Sequence, residues 1–350
     1  MTWHLRHALI TGISGQDGAL LAAQLLARGV GVTGTHRPAR TLDDWRLREL
    51  GIADHPQLRY SALDPTDAGA CAALLGQLQP DALFHLAGQS RVAESFSAPQ
   101  ASIAANGGST LNLLEALRLH APRTRMVLTS SAEIFGAPAQ SPQDESTPLA
   151  ARSPYGVSKL LAHSAIGAWR ASYGVHASSA ILFNHESPLR DAAFVTRKIT
   201  LAVARIARGL DHEVVLGNLD ARRDFGYAPD CMAALQAMVG REHGDDYVLA
   251  TGRAASIREF ATAAFAAVGI ELDWHGSGAD EVALQRDGGR VRVRVDAALL
   301  RPFDAPLLVG DAAKARRELG FAPSLDLAAL ARTMVEADLA RLAPDRAPCG

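Results

Sequence analysis

Short apolar runs alternate with helical patterns through the first half of the chain. Aliphatic and β-branched runs bounded by turn residues predict strands, and apolar residues three and four positions apart predict the helices between them. The expected elements alternate strand and helix over residues 7–10, 18–28, 31–35, 68–78, 82–86, 109–119, 125–129, 155–173 and 177–183. This alternation predicts an α/β fold with a Rossmann-type, doubly wound parallel sheet that is covered by helices on both faces.

The regular alternation fades after about residue 185, where basic clusters, Gly/Asp turns and mixed short elements follow. A change of this kind indicates a second, smaller lobe. We expect a Rossmann domain over residues 1–183, with segments at about 220–252 and 295–310 returning to it. A smaller C-terminal α/β lobe is expected over most of residues 184–342.

Composition excludes several classes of protein. The chain has 350 residues, of which 48% are apolar, enough for one or two buried cores. A formal net charge of −2 gives no electrostatic reason to expect a nucleic-acid or membrane partner. The three distant cysteines have neither metal-ligand spacing nor a disulfide pattern. The first residues lack the long apolar stretch and small-residue cleavage site of a signal peptide, so none is expected. We therefore expect a cytoplasmic protein without a bound metal.

A glycine-rich turn follows the first predicted strand. The segment TGISGQDG places Gly12, Gly15 and Gly18 between that strand and the next helix. Glycines in this position permit a tight turn and let phosphate oxygens approach backbone N–H groups at the positive end of a helix. An ordinary strand-to-helix turn is the alternative, but the strand before it and the helix after it favour a dinucleotide site.

Charged residues after the second and third strands indicate which dinucleotide binds. The second strand runs into GTHRPAR, where a carboxylate would bind the adenosine ribose of NAD, whereas Arg37, with Arg40 nearby, suits a 2′-phosphate. We therefore expect NADP, with a solvated basic loop as the alternative. Asp64 could accept a hydrogen bond from the adenine amine or form a turn or helix cap, which spacing alone does not decide.

Two segments carry residues typical of hydride-transfer chemistry. Tyr155 and Lys159 are four residues apart on a predicted helix, so they share one face. A nearby ammonium favours the phenolate and lowers a tyrosine pKa that starts near 10, which makes Tyr155 a usable base. Ser131 ends a predicted strand and adds a hydroxyl. Isolated YxxxK matches are common on helix surfaces, but the glycine turn and Ser131 favour the catalytic interpretation.

Glu133 is a carboxylate that a simple alcohol dehydrogenase does not need. It lies two residues beyond Ser131 on the loop at the strand end, so strand alternation is expected to place both side chains on the same side. An isolated loop glutamate is usually a solvated charge. Its position beside the serine favours a second acid/base for a step that follows oxidation.

With these residues the chain resembles the extended short-chain dehydrogenase/reductases and, within them, the GDP-mannose 4,6-dehydratase family. The resemblance runs from about residue 7 to residue 339. Its most specific segments are NHESP, VTRKIT, LGNLDARRDFGYAPD and DYVLATG, together with the glycine turn and residues 294–304. NHESP and VTRKIT favour the dehydratases over their sister reductases.

The resemblance implies roles for individual residues. Four are implied to be catalytic: Ser131, Glu133, Tyr155 and Lys159. The implied NADP site contains Gly12, Gly15, Gln16, Asp17, Gly18, Arg37, Asp64, Pro65, Leu86, Ala87, Gln89, Ser90, Tyr155, Lys159, His185 and Arg190. The implied nucleotide-sugar site, mainly in the C-terminal lobe, contains Ser90, Glu133, Asn184, Lys198, Gly217, Arg223 and Arg301.

The reaction implied by the resemblance is loss of water from a GDP-sugar. Tyr155 removes the proton of the 4-hydroxyl as hydride leaves C4 for NADP, Glu133 removes the C5 proton, water leaves from C6, and hydride returns to C6. The product is a GDP-4-keto-6-deoxy sugar, and NADP is recycled internally. The resemblance also implies a homodimer or homotetramer in which the loop after Arg37 reaches a neighbouring cofactor site.

Several positions depart from the residues usual in the family. Ser131 replaces a threonine, Arg91 a histidine and Leu189 an arginine, and HLAGQSRV at residues 85–92 stands where NLAAQSHV is usual. Because these positions surround the sugar and the cofactor, GDP-mannose and a GDP-manno-heptose are both candidate substrates. Two other functions stay open: an NADPH-dependent reductase of a GDP-4-keto-6-deoxy sugar, and a non-catalytic NADP-binding scaffold or sensor.

Overall fold

The computed structural model describes residues 3–38, 41–299 and 307–343. The chain divides into two compact units. Unit 1 contains Met1–Phe183, Ala228–Leu249 and Gly310–Ala322, and unit 2 contains Asn184–Tyr227, Ala250–Val309 and Pro323–Gly350.

Strands and helices alternate along most of the chain. The strands are β1 (His7–Thr11), β2 (Gly31–His36), β3 (Leu58–Ala62), β4 (Ala82–His85), β5 (Arg125–Ser131), β6 (Ala177–Leu182), β7 (Asn184–Glu186), β8 (Val214–Leu216), β9 (Arg222–Tyr227), β10 (Asp246–Leu249), β11 (Ala254–Ser256), β12 (Leu272–His275), β13 (Val282–Gln285) and β14 (Val291–Val295). The α-helices are α1 (Gln16–Ala27), α2 (Trp45–Glu49), α3 (Ala68–Leu78), α4 (Val92–Ser97), α5 (Pro99–Ile103), α6 (Ser109–His120), α7 (Pro154–Tyr173), α8 (Val195–Ala207), α9 (Ala228–Gly240), α10 (Ile257–Ala266), α11 (Ala313–Leu319) and α12 (Leu327–Arg341). A π-helical turn covers Ala104–Gly108, and short 3-10 turns cover Ala132–Phe135, Gly278–Asp280 and Ala297–Leu299.

Across the described residues, none of the helices combines the length and apolar character that crossing a membrane requires.

Unit 1 is built on a parallel sheet of seven strands in the order β3–β2–β1–β4–β5–β6–β10. The chain runs outward from β1 to β3 and then crosses back to place β4 on the other side of β1. The carboxyl ends of β1 and β4 therefore lie side by side where the winding reverses, which is where doubly wound sheets bind ligands. The predicted Rossmann-type sheet is confirmed, and the predicted strands and helices of this half end within two residues of their expected bounds.

Burial explains the apolar runs in unit 1. Every residue of β4 and β6 is buried, as expected for strands with helices on both faces. One core cluster joins the sheet to α3, α6 and α7 through completely buried side chains such as Leu75, Leu113 and Ile166. Because α7 belongs to this core, its amino-terminal residues are held firmly beside the end of β5.

Unit 2 contains two smaller sheets, with strand orders β11–β9–β7 and β12–β13–β14–β8. Its core includes the completely buried Ile199 of α8, Phe260 of α10 and Met334 of α12. The expectation of mixed short elements is wrong for α8 and α12, which have 13 and 15 residues. Each helix carries a charged residue on its buried face, Arg197 in α8 and Asp338 in α12, and this interrupts the three-to-four spacing of apolar residues.

Candidate active site

The glycine turn after β1 is tightly packed. Gly12 has φ +78°, and a Cβ on it would lie 2.9 Å from the backbone nitrogen of Ala87. A Cβ on Gly18 would lie 2.3 Å from the carbonyl oxygen of Gly12. Only glycine fits these two positions, so the turn and the start of α1 pack closely. Gly15 is the N-cap of α1 and supplies no side-chain cap to the positive end of the helix.

The loop after β4 contains four of the predicted cofactor residues: Leu86, Ala87, Gln89 and Ser90. Asn106 holds this loop from the π-helical turn. Its Oδ1 accepts the backbone N–H of Gln89 at 3.0 Å, and its Nδ2 donates to the Gln89 carbonyl at 3.1 Å and to Ser158 Oγ at 2.8 Å. The side-chain oxygen of Gln89 is buried and accepts no hydrogen bond from the described residues. Sequence reasoning missed Asn106, although two consecutive glycines in a helical pattern indicate an irregular turn.

Ser131 and Glu133 are joined by a 3-10 turn and not by extended strand. β5 ends at Ser131, and Ser131 Oγ accepts the backbone N–H of Glu133 at 3.2 Å as the turn begins. The expectation that strand alternation relates the two side chains is therefore wrong. The serine caps the turn because its oxygen satisfies an otherwise unbonded N–H. The carboxylate still follows the serine directly at the carboxyl end of β5.

The first turn of α7 brings Tyr155 to the turn that carries Glu133. Ser153 caps α7 by accepting the N–H of Gly156 at 2.9 Å, and Pro154 occupies the first helical position. A Cβ on Gly156 would lie 2.8 Å from the carbonyl oxygen of Glu133. This close approach of the two backbones places Tyr155 and Glu133 in one part of unit 1.

Lys159 lies one helical turn after Tyr155 and is buried, with 8% of its surface exposed. Its ammonium donates to the Thr129 carbonyl on β5 at 2.8 Å and lies 5.9 Å from the centroid of the Tyr155 ring. Burial lowers the pKa of Lys159 from 10.5 to about 8, while the charge of Asp17 acts in the opposite direction. Asp17 in turn accepts a hydrogen bond from the Gln16 side chain at 3.0 Å.

The residues expected at the ribose 2′-phosphate and at the adenine follow β2 and β3, respectively. Arg37 is exposed, and Arg40 lies outside the described residues. The pKa of Asp64 is lowered first by the backbone N–H of Thr66 at 3.0 Å, then by the Thr66 hydroxyl at 2.8 Å, and also by the charge of Arg37. Asp64 therefore forms a turn with Thr66, in which Pro65 is the second residue. This is one of the two alternatives that spacing left open, and the adenine contact stays a prediction.

Six residues predicted to bind the nucleotide sugar or the cofactor lie in unit 2: Asn184, His185, Arg190, Lys198, Gly217 and Arg223. Asn184 and His185 begin β7, which pairs with β9 in parallel, and Arg223 lies on β9. Arg301, the seventh, lies outside the described residues.

Arg190 lies in the loop between β7 and α8, and its side chain is held by residues on either side of that loop. Its Nε lies 3.2 Å from Glu186 Oε2, and its guanidinium carbon lies 3.7 Å from the centroid of the Phe194 ring. Glu186 also accepts the hydroxyl of Thr196 at 2.6 Å. The neighbouring Leu189, one of the departures from the family pattern, is only 3% exposed.

Two adjacent basic residues on α8 have different environments. Lys198 is exposed, whereas Arg197 is buried and its Nε donates to both carboxylate oxygens of Asp338 on α12 at 3.1 Å. Of the two, only Lys198 is accessible to solvent. Gly217 follows β8, where a Cβ would lie 2.6 Å from the carbonyl oxygen of Leu299, so two loops of unit 2 approach closely there.

Sequence reasoning also missed Arg46, which contacts the glycine turn. It is 8% exposed, donates from Nη1 to the carbonyl of Ser14 at 3.0 Å, and lies over the Trp45 ring at 4.4 Å. It adds a guanidinium next to the turn. No local spacing marks it, because α2 has only five residues and is far from the turn in sequence.

The parallel sheet, the glycine turn and the Tyr155–Lys159 pair are typical of an extended short-chain dehydrogenase/reductase. The fold is that of DesIV, a dTDP-glucose 4,6-dehydratase from Streptomyces venezuelae, with a TM-score of 0.76 and 23% identity over 95% of this chain and 96% of that one. At this identity the likeness shows the fold alone. The profile of the GDP-mannose 4,6 dehydratase family matches residues 9–334. The chain belongs to the GDP-mannose 4,6-dehydratase family, as its motifs predict.

Two relatives show how far the similarity extends. A GDP-mannose 4,6-dehydratase of Sinorhizobium fredii is 41% identical over 340 residues, which cover 96% of this chain and 97% of the relative. A GDP-mannose 4,6-dehydratase of Sordaria araneosa is 42% identical over 339 residues and 95% of this chain. The chain spans 61% of the length of that second relative.

Proposed function

We propose that this protein is a nucleotide-sugar 4,6-dehydratase that removes water from a GDP-sugar and recycles NADP within one active site. The placement of Glu133 carries the proposal. Its turn follows Ser131 and is met by the first turn of α7, next to Tyr155. Oxidation of an alcohol requires only the hydroxyls of Ser131 and Tyr155 and the ammonium of Lys159. A carboxylate beside them supplies a base for the carbon next to a newly formed ketone.

Unit 1 has the features that NADP requires. Gly12 and Gly18 let the turn pack tightly against Ala87 and the start of α1, and a glycine turn of this kind at a helix N-terminus suits a diphosphate. Gln89 offers a buried oxygen without a hydrogen-bond donor from the described residues, and Arg37 is exposed where a 2′-phosphate would lie. When bound, NADP+ would accept a hydride from sugar C4 and return it to C6.

Three residues serve the oxidation. Tyr155, as phenolate, takes the proton from the sugar 4-hydroxyl, and the Lys159 ammonium favours that phenolate through its charge. The Ser131 hydroxyl donates a hydrogen bond to the sugar O4, since its oxygen already accepts the N–H of Glu133. The ketone formed at C4 acidifies the hydrogen on C5.

Glu133 serves the elimination. Its carboxylate takes the proton from C5 as the C6 hydroxyl leaves. Of the two protons then held by Tyr155 and Glu133, one leaves with the hydroxyl as water and the other returns to C5 when C6 receives hydride. The products are one GDP-4-keto-6-deoxy sugar and one water, with no net oxidation.

The GDP-sugar is proposed to use residues of unit 2. Lys198 is exposed, and Arg223 lies half-buried on β9; their cationic groups suit the diphosphate. GDP-mannose and a GDP-manno-heptose both remain candidates for the sugar. Arg91 is exposed and paired with Glu94 at 2.6 Å, so a larger sugar could exchange contacts with this pair.

A product assay tests the function. The protein, with NADP+ but no added NADPH, is incubated with GDP-mannose and with GDP-manno-heptose, and the products are identified by mass and NMR. Formation of a GDP-4-keto-6-deoxy sugar without net cofactor reduction supports the dehydratase. A parallel incubation contains NADPH and a GDP-4-keto-6-deoxy sugar, and its conversion with stoichiometric NADPH loss supports the reductase. NADP binding without conversion of any of these sugars supports the scaffold.

A Glu133→Gln variant separates the two half-reactions. We expect it to block loss of water while hydride transfer to the bound cofactor persists. Rapid-mixing absorbance of the reduced nicotinamide measures this, with Tyr155→Phe as the control that should form no reduced cofactor. Absence of reduced cofactor in Glu133→Gln would refute the separate roles.

We also propose that the protein forms a homodimer or homotetramer through α4, α5 and α7, with a second copy as the partner. These helices pack together in unit 1 and expose Phe96, Ile103, Val157 and Leu161 by 37–55%. Apolar side chains grouped in this way are typical of interfaces. Sedimentation analysis is expected to show dissociation of Leu161→Glu but not of Leu119→Glu, an equally drastic change at a 54% exposed leucine of α6. Equal assembly of both variants contradicts this interface.

A further inference from the structure

His85 is a buried residue with no role in the proposed chemistry. It lies between two side-chain hydroxyls, which the proposed chemistry does not use either. It is 1% exposed, with Nδ1 at 2.8 Å from Thr11 Oγ1 and Nε2 at 3.1 Å from Ser109 Oγ. Thr11 ends β1, His85 ends the neighbouring β4, and Ser109 begins α6. The three side chains therefore connect the carboxyl ends of the two strands at the point where the winding reverses.

The hydrogen-bond pattern fixes which atom donates in each contact. Ser109 Oγ lies 2.7 Å from the Ala105 carbonyl, so its proton is used there and its oxygen must accept from His85 Nε2. The ring is then protonated on Nε2, and its Nδ1 accepts the proton of Thr11. Burial and the charge of Lys159 lower the pKa of His85 to about 3, which agrees with a neutral ring.

This orientation leaves the Thr11 oxygen as an acceptor for two backbone groups. The N–H groups of Leu86 and Ala87 both donate to it at 3.1 Å. They begin the loop that contains the predicted cofactor residues. A Cβ on Gly12 would lie 2.9 Å from the nitrogen of Ala87, so the distance between this loop and the glycine turn has little tolerance.

We propose that His85 and Thr11 are positioning residues that hold the 86–90 loop against the glycine turn and thereby set the affinity for NADP. The proposal rests on the proposed function, in which NADP is the ligand of this turn. This role requires a hydrogen-bond acceptor at the position of His85 Nδ1, where it takes the proton of the Thr11 hydroxyl. Asparagine can meet it with its amide oxygen.

Calorimetric titration with NADP+ tests the proposal, together with thermal unfolding of each unliganded variant. Thr11→Val and His85→Leu keep much of the side-chain volume but remove the hydroxyl or the acceptor. We expect their Kd for NADP+ to rise about tenfold, the loss of roughly one hydrogen bond. Thr11→Ser and His85→Asn keep the required group and are expected to bind within about threefold of the wild type.

Thr33→Val is the matched control. Thr33 is 4% exposed, and its Oγ1 lies 3.0 Å from Nε2 of His7, which begins β1 rather than ending it. This change removes a bond of the same kind, so it is expected to lower the Tm without altering the Kd.

Unchanged Kd in both Thr11→Val and His85→Leu overturns the positioning role, and so does an equal rise in Thr33→Val. A wild type that does not bind NADP+ contradicts the proposed function itself. If Thr11→Val does not fold, His85→Leu against His85→Asn decides.

Discussion

Two buried cations show how differently the two units hold a charge. Lys159 of unit 1 is 8% exposed and donates to a backbone carbonyl, that of Thr129. Arg197 of unit 2 is 6% exposed and donates to both oxygens of the completely buried carboxylate of Asp338. The carboxylate balances the charge of the arginine where it lies. A carbonyl dipole balances the charge of the lysine only in part.

On the proposed function, the difference separates the structural charge of Arg197 from the charge of Lys159, which is held for chemistry. Burial disfavours the ammonium of Lys159, which is why its pKa falls to about 8. A group kept in this state costs stability and is typical of functional sites. The Arg197–Asp338 pair, in contrast, joins α8 to α12 in the core of unit 2.

Replacing Lys159 gives the largest expected effect. Lys159→Met is expected to reduce turnover about 10²- to 10⁴-fold, because the charge that favours the Tyr155 phenolate is lost. The same change is expected to raise the free energy of unfolding at pH 7 by about 1–3 kcal/mol, since a buried charge is removed.

The pH dependence of the stability gained in Lys159→Met provides a check on its cause. A base whose folded pKa lies below its unfolded value destabilises the fold while it is protonated. The gain from Lys159→Met should therefore be complete below pH 8 and shrink between pH 8 and 10.5. Urea unfolding measures it, with the exposed Lys198→Met expected to show no such gain. A less stable Lys159→Met protein contradicts the comparison.

Breaking the pair in unit 2 should have the opposite effect on stability. Asp338→Ala leaves the Arg197 guanidinium buried without its carboxylate and is expected to cost about 3–5 kcal/mol. Denaturant unfolding checks this. Asp211→Ala breaks the exposed pair with Arg205 on the same helix, and its effect should be small. Equal losses in the two variants would show that burial of the ion pair is not what matters.

Acid should weaken the wild type through His85. Its folded pKa of about 3 lies below the ordinary 6.5, so its contribution is unchanged above pH 6.5 and becomes unfavourable as the pH falls below that value. At pH 5 the expected cost is about 2 kcal/mol relative to His85→Asn, which does not titrate there. Unfolding of both proteins between pH 7 and 5 measures the difference. Parallel pH curves for the two proteins contradict a buried neutral histidine.

The smallest effect concerns Asp17. Its carboxylate opposes the fall in the pKa of Lys159, so Asp17→Asn should lower that pKa further. The alkaline limb of kcat/KM is then expected to move towards neutral pH. A pH–rate profile tests this, with Glu115→Gln as an exposed carboxylate control. A shift to higher pH in Asp17→Asn would exclude the proposed coupling.

Local patterns predicted much of unit 1. Residues four apart on a helix placed Tyr155 with Lys159, and glycine spacing identified the turn in which Gly12 and Gly18 admit no Cβ. These features depend on a few neighbouring residues, so the sequence is informative about them. The family was predicted from motifs distributed over the whole chain.

Features that depend on distant contacts were not predicted. Glu133 lies in a 3-10 turn capped by Ser131, which strand alternation does not foresee. Asn106 reaches the Gln89 loop through an irregular helical turn, and the donor pattern at His85 depends on hydroxyls from two other elements. Strand and helix periodicity does not encode such contacts, since they depend on how elements pack.

The central claim is that one site oxidises C4, eliminates water and returns the same hydride to C6. GDP-mannose carrying deuterium at C4, converted with unlabelled NADP+, tests this directly by NMR of the product. The account predicts deuterium at C6, one water lost per sugar and no net NADPH. Deuterium recovered on released cofactor, or a product without deuterium at C6, would contradict it.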